Sequence, residues 1–272
     1  MLLQFISRQK AHIATLPLSG IRAGSAMIVA ATVAAGITLP AAALAGDRII
    51  GFDVGLGAQY APEYEGSGDY TVSPSGTFSL KQLQFGSLNF DGTGESTGFS
   101  ISPSLRYIAK RESSDFPELA GIPDNDLAIE LGFRASYDWE GYGVFGQVRK
   151  GVTGHHGLAG EIGADVKYDL SDKTSISFGP RMAFGDDKYM SYAFDVPATA
   201  TALAAYDASG GTKSYGAELK IRHELNDRTF LEGLVAWERY DGDAAMSPIV
   251  QAGDRDQVRI GVNLIRRFQL RF

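Results

Sequence analysis

The sequence predicts an all-β fold, a transmembrane antiparallel up-and-down β-barrel of ten to twelve strands behind a cleaved signal peptide. Three observations predict it. Apolar and polar residues alternate with period two along most of the chain after residue 46, the pattern of strands whose successive side chains face opposite ways. The polar face carries charges of both signs. The chain ends on "QVRIGVNLIRRFQLRF", an amphipathic strand with an aromatic as its last residue.

The first 45 residues stand apart. They hold Arg8, Lys10 and Arg22 and no acid, then the apolar run "AMIVAATVAAGITL" broken by Pro40, then Ala43-Leu44-Ala45. A basic start, a short apolar core and an A-x-A site form a secretory signal peptide, so domain 1–45 is read as the signal peptide, cleaved after Ala45, and 46–272 as the barrel. A membrane anchor over Ala26 to Ala45 is the alternative; the proline and the small-residue end favour cleavage. Loss of three basic residues and no acid takes the net charge from -7 to -10, and a chain this acidic is a poor ligand for nucleic acid. The absence of cysteine excludes disulfides, zinc–thiolate sites and thiol nucleophiles.

Strands follow in order. Ile50 to Tyr60 alternates cleanly; segments 70–80 and 83–90 come next; Phe99 to Tyr107 and Leu127 to Trp139 alternate over their whole length. Strands near 142–152, 158–170, 174–185, 213–225, 228–240 and 258–272 complete the set. "DGTG" at 91–94, "EG" at 140–141, "SDK" at 171–173 and "ND" at 226–227 supply turns. The region 70–90 counts as two strands or one, which makes eleven or ten. A helical period is found only in "ATATALAAYD", Ala198 to Asp207.

Alternation alone fits a soluble barrel with its oily face inward as well as a membrane barrel with that face outward. Strand lengths near 10–14 residues suit a tilted membrane crossing. Aromatics at strand ends, namely Tyr60, Tyr107, Tyr137, Trp139, Tyr142, Tyr168 and Tyr240, suit interfacial girdles. The long connections near 111–125, 187–212 and 241–254 all fall on one side, as outer loops do. Glu130, Arg134, Glu161, Asp165 and Lys167 are then lumen charges, which either line a selective pore or pair and plug it. Phe268, Leu270 and Phe272 form an assembly signal for the barrel-assembly machinery, on the strand that must close the barrel because an open edge cannot sit in lipid.

Several stretches resemble the MipA/OmpV (MltA-interacting protein) family of outer-membrane proteins. "GLGAQYAPEYEGSGDYTVSP" carries Pro62, Tyr64, Gly66 and Ser67 on the family's proline–tyrosine–glycine–serine pattern. "GHHGLAGEIGADVKYDL", "SFGPRMAFGDDKYMSYAFDV" with Gly179, Pro180 and Arg181, "AAYDASGG", and "ERYDGDAAMSPIVQAGDRDQVRIGV" with Ser247 and Pro248 resemble successive family segments. The chain departs from the pattern in a shorter 70–90 region and in running past Phe268 to Phe272. The resemblance implies an outer-membrane barrel without enzymatic activity. It also implies a scaffold role that brings a murein lytic transglycosylase to a penicillin-binding protein, with porin-like channels and adhesins as the family's other roles. Outer-membrane lipid and lipopolysaccharide are its expected surroundings.

Other residues invite sharper readings. His155 and His156 are neighbours, so on a strand they face opposite ways and cannot share an ion; a polar loop tip is the reading kept. His223 has no nucleophile motif beside it, so no catalytic constellation is expected. Asp186-Asp187, Asp241/Asp243 and Asp254/Asp256 are read as turn chemistry rather than calcium ligands, since the EF-hand spacing is absent. No cofactor or metal site is expected.

Overall fold

The computed structural model describes residues 48–85, 88–91 and 97–271. The signal peptide, its cleavage after Ala45, the turn at 92–94 and Phe272 lie outside them. Among the described residues, eleven strands form one antiparallel sheet: β1 (Ile49–Pro62), β2 (Tyr70–Phe85), β3 (Leu88–Asp91), β4 (Gly98–Ile108), β5 (Ala128–Trp139), β6 (Tyr142–Thr153), β7 (Leu158–Ser171), β8 (Thr174–Gly185), β9 (Gly211–Asn226), β10 (Thr229–Tyr240) and β11 (Asp256–Arg271). Their order is β3-β2-β1-β11-β10-β9-β8-β7-β6-β5-β4. The first and last strands therefore pair, from Ile49 opposite Arg271 up to Tyr60 opposite Ile260. β2 and β4 come side by side and bring the ends of the sheet together. β3 is a four-residue stub on the end of β2, so the wall is a nearly closed barrel of ten long strands.

The oily face is outward. Phe99 and Phe133 are each 66 % exposed, whereas Glu130 on the opposite face of β5 is 0 % exposed. Leu105, Leu131, Ile162, Phe178, Leu264 and many like them continue the exposed band. Each such side chain left in water forgoes about 2 kcal/mol of burial, so this surface belongs in hydrocarbon, and the soluble reading of the alternation falls. Tyr60, Tyr107, Tyr137, Trp139, Tyr142 and Tyr168 are exposed as girdle residues should be; Tyr240, at 1 %, is not. It lies opposite Ser214 on the inward side and packs edge-on against Phe194, 5.5 Å between centroids.

The two exceptions to alternation in β11 have local causes. Ile265 is buried on the inward side, against the wall at Gly55. Arg266 points outward opposite Thr229, the first residue of β10, and its Nη1 donates to Thr229 Oγ1 at 2.6 Å. There the guanidinium reaches the inner interface while its stem stays in lipid.

Gly179-Pro180-Arg181 marks a repaired break. Proline has no N–H to give a ladder, and the β7–β8 pairing is interrupted between Gly163–Arg181 and Val166–Phe178. Ala164 lies in that gap, and its carbonyl accepts a hydrogen bond from Arg181 Nη1 at 3.0 Å. A Cβ at Gly179 would stand 1.6 Å from the same carbonyl oxygen. The three residues thus work as a unit: proline opens the ladder, glycine lets the strands stay close, and arginine satisfies the carbonyl that lipid cannot.

The helical period expected over 198–207 is not used. That segment crosses the outer mouth with its N–H groups committed elsewhere: Thr201 and Ala202 donate to the Ala120 carbonyl, and Tyr206 and Val196 exchange two bonds of 2.8 Å. The helix comes earlier, as α1 (Asp187–Phe194), capped by Asp186, whose side chain accepts the Tyr189 N–H. Two short helices, α2 (Gly242–Met246) and α3 (Pro248–Ala252), follow β10.

Gly179→Ala is expected to destabilise the barrel by about 2 kcal/mol and to lower the temperature at which its heat-modifiable gel band shifts. Gly146→Ala, whose new Cβ would meet nothing nearer than 3.8 Å, should leave that temperature unchanged.

Candidate functional site

The barrel's buried apolar core sits at one end, in the long loops. Both ends of the barrel chain and the two-residue turns at 140–141, 172–173 and 227–228 lie at the other, inner end. Over the outer mouth, Tyr189, Met190, Ala193 and Phe194 of α1 pack with Tyr240, Ala244, Ala245 and Val250. Beside them Tyr64, Leu119, Ile122, Val196 and Ile249 form a second cluster. Together they make a lid.

The residues singled out by motif hold this lid together. Pro62 ends β1. Tyr64 Oη donates to Glu118 at 2.8 Å and stacks edge-on to Phe116, which ties the first outer loop to the second. Gly66 has φ +96°, a value costly for any other residue, and a Cβ there would meet Val250; its carbonyl accepts the Asp254 N–H at 2.9 Å. Ser67 is 1 % exposed, caps its own turn through Asp69 N–H and receives Gln257 Nε2 on its carbonyl. Ser247 Oγ donates to the Phe194 carbonyl at 2.7 Å and accepts the Ile249 N–H, with Pro248 at the first position of α3. The first, fourth and fifth outer loops are thereby locked to one another.

A charged layer lies directly under the lid. Glu65 drops from the first loop and receives Arg106 Nη2 at 2.8 Å, Tyr189 Oη at 3.0 Å and Lys213 Nζ at 3.3 Å. Arg106 is on β4 and Lys213 on β9, strands five places apart in a ring of ten, so one carboxylate ties opposite walls across the lumen. Lys213 also meets Glu238 at 3.4 Å, and it faces inward because the β8–β9 register slips between Ala183 and Phe184. Burial alone would raise the Glu65 carboxyl, but the charges of Lys213 and Arg106 and the Tyr189 hydrogen bond outweigh it and hold the group at about 2. Burial, together with the charge of Glu65, pushes the Tyr192 phenol up to about 12.

The predicted lumen charges face inward, and most are already partnered. Glu130, fully buried, takes Arg149 Nε at 2.9 Å and His155 Nε2 at 3.2 Å. Because Gly157 N–H donates to His155 Nδ1, the ring's other nitrogen carries the proton toward Glu130. His155 is therefore no polar loop tip: it is buried, flanked by Tyr189 and Tyr192, while His156 is exposed. Asp165 pairs with Arg181 at 2.7 Å, and Lys167 with Asp138. Arg134 lies flat on Phe145, 3.4 Å from the ring centroid. Glu161 stands opposite Gln147. His223 is exposed at the inner rim, bonded to Thr174.

The acidic pairs serve as caps and turn acceptors: Asp186 caps α1, Asp187 and Asp243 accept N–H groups of Gly210 and Ser209, and Asp254 accepts Asp256 N–H. Glu65, Tyr189 and Lys213 escaped the sequence reading. Arg106 and Arg149 were legible as inward positions on alternating strands; a loop carboxylate reaching into the lumen has no such signature.

Residues 54–268 match the family described as MltA-interacting protein MipA. The chain belongs to this family. With the outward oily band and the charged interior, this makes it an outer-membrane β-barrel protein of a Gram-negative cell. It is similar to an outer membrane channel from Pseudomonas putida F1, at 13 % identity over 83 % of this chain and 97 % of that one, with a TM-score of 0.44. It is also similar to a bacterial polysaccharide outer membrane secretin (11 %, 80 % and 98 %, TM-score 0.39) and to an anion-selective porin from Comamonas acidovorans (10 %, 82 % and 100 %, TM-score 0.29). No curated protein sequence matches it. The residues that carried the resemblance in sequence thus fall on two structures, the repaired β7–β8 break and the lid.

A carboxyl held below its ordinary 4.5 stabilises the fold fully above that pH and loses its contribution as pH falls through about 2. Protease resistance of the outer loops is expected to be flat above pH 4.5 and to decline below it. In Glu65→Gln the loops should be cleaved faster at neutral pH, and the decline should be shallower.

Proposed function

We propose that this barrel is a non-conducting interaction protein of the outer membrane. In this reading it carries no catalysis and holds a murein lytic transglycosylase near a penicillin-binding protein through its inner, periplasmic surface. The observation that carries the reading is the lid: a packed aromatic cluster over the outer mouth, above a carboxylate bonded to opposite walls, supports a barrel that does not conduct. The family's name, MltA-interacting protein, supports the choice of partner. The chain reaches the envelope by cleavage after Ala45 and is assembled through its C-terminal signal. Phe268 and Leu270, exposed on the outward face near the inner end of β11, suit recognition there. Lipid and lipopolysaccharide surround the apolar band.

Protein extracted from outer membranes is expected to be silent in a planar bilayer; discrete conductance steps from the wild type would overturn the reading in favour of a pore. Because the chain has no cysteine, one can be placed at will. A bulky maleimide on Met246→Cys, at an outer site 61 % exposed, should leave capture by an immobilised lytic transglycosylase unchanged. The same label on Glu140→Cys, in an inner turn, should reduce it.

A further inference from the structure

The inner half of the lumen differs from the outer half. The described inner connections are two-residue turns, whereas the outer mouth carries the packed lid, so among the described residues the periplasmic end is the less covered one. On its wall, Asp53 of β1, 2 % exposed, accepts Arg222 Nη2 at 2.7 Å and Arg267 Nε at 2.9 Å. Arg222 also approaches Glu232 at 3.7 Å. Both guanidinium groups lie over the Phe230 ring, 4.1 and 4.9 Å from its centroid, so they are held in fixed planes.

Lys81 completes the group. The β1–β2 register slips between Gly51 and Phe52, which leaves Lys81 and Gln82 together opposite Gly51. A bulge of this kind turns an extra side chain to the face of its neighbour, here the face of Asp53. The charges felt most strongly at Lys81, among the described residues, are those of Arg222, Asp53, Arg267 and Glu232. Among the described residues its ammonium has no ion-pair or hydrogen-bond partner. Among the described residues, three cations therefore face two carboxylates, and the surplus is one positive charge.

The geometry points to a carboxylate-binding site in the inner half of the lumen, centred on Lys81 and flanked by Arg222 and Arg267. It rests on the interaction role proposed above and gives that role a chemistry: a partner engages the lumen from the periplasm with a carboxylate-bearing peptide segment. A single surplus charge is matched by a monoanion; a phosphate dianion would leave the site negative. Lysine supplies a mobile point charge, and the stacked arginines supply planar donors at the rim of the same site.

The test is a titration of the detergent-extracted protein with N-acetyl-dialanine, followed by the NMR signals of the Arg222 and Arg267 side-chain Nε–H groups. The carboxamide of the same dipeptide and inorganic phosphate serve as comparisons. Saturable shifts with the free acid alone, weakened about tenfold or more in Lys81→Gln, are expected. Equal shifts with the carboxamide, indifference to Lys81→Gln, or tighter binding of phosphate would overturn the assignment. Transglycosylase capture separates the two ideas. If capture persists while the acid fails to bind, the site is lost and the interaction role stands. If wild-type capture fails while the acid binds, the role is lost and the site stands.

Discussion

In hydrocarbon a backbone N–H or C=O has no water to fall back on, and everything in this barrel depends on that constraint. It explains why the first and last strands pair and why the stub β3 is tolerated only at the margin of the sheet. It also explains why a proline in the middle of the wall needs a neighbouring arginine to serve an orphaned carbonyl. Once the wall is satisfied, side chains alternate between two solvents. Leucine, valine and aromatics go to lipid, and the polar residues that remain must find partners inside.

The interior meets that demand unevenly. Near the outer end, carboxylates and cations are close-packed and covered by aromatic rings; Glu130 with Arg149 and His155, and Glu65 with Arg106, Lys213 and Tyr189, leave few polar atoms unused. Removing one partner from such a buried group costs about 3–5 kcal/mol, because the other charge is stranded. The lid above is bound by the same logic. Its apolar clusters alone would be modest, but its loops are fastened to the wall by the charged layer beneath. Toward the inner end, among the described residues, Lys81 is the cation beyond those matched by Asp53 and Glu232.

The wall was legible in the sequence to within two or three residues at each strand, because period-two alternation with polar turns is a local signal. The one strand misjudged shows the limit. Outward positions in β2 run even through Val72, Phe78 and Leu80, then pass to Leu83, which stands opposite Ile50. The bulge at Lys81 switches the parity, so a single strand reads as two. The lid was not legible. Its contacts join loops 50 to 190 residues apart, such as Tyr64 with Glu118 and Ser67 with Gln257, and they have no period. The helix α1 carried a usable sign, an Asp186 cap followed by Tyr189, Met190, Ala193 and Phe194 on one face, which the alanine-rich run downstream outweighed. His155 was misjudged because its neighbour faces water and the pair was read as one.

The pairing of β1 with β11 sets an order on the life of the molecule. Asp53 and Arg267, bonded across the closure, are 214 residues apart in sequence, so the contact that seals the wall waits for a strand far along the chain from β1. Until β11 is delivered, β1 carries a bare edge and the lid lacks its Gln257 anchor. A chain cut short by a broken message therefore never becomes a barrel with a small defect. It stays an open sheet whose unpaired backbone groups hydrocarbon cannot satisfy.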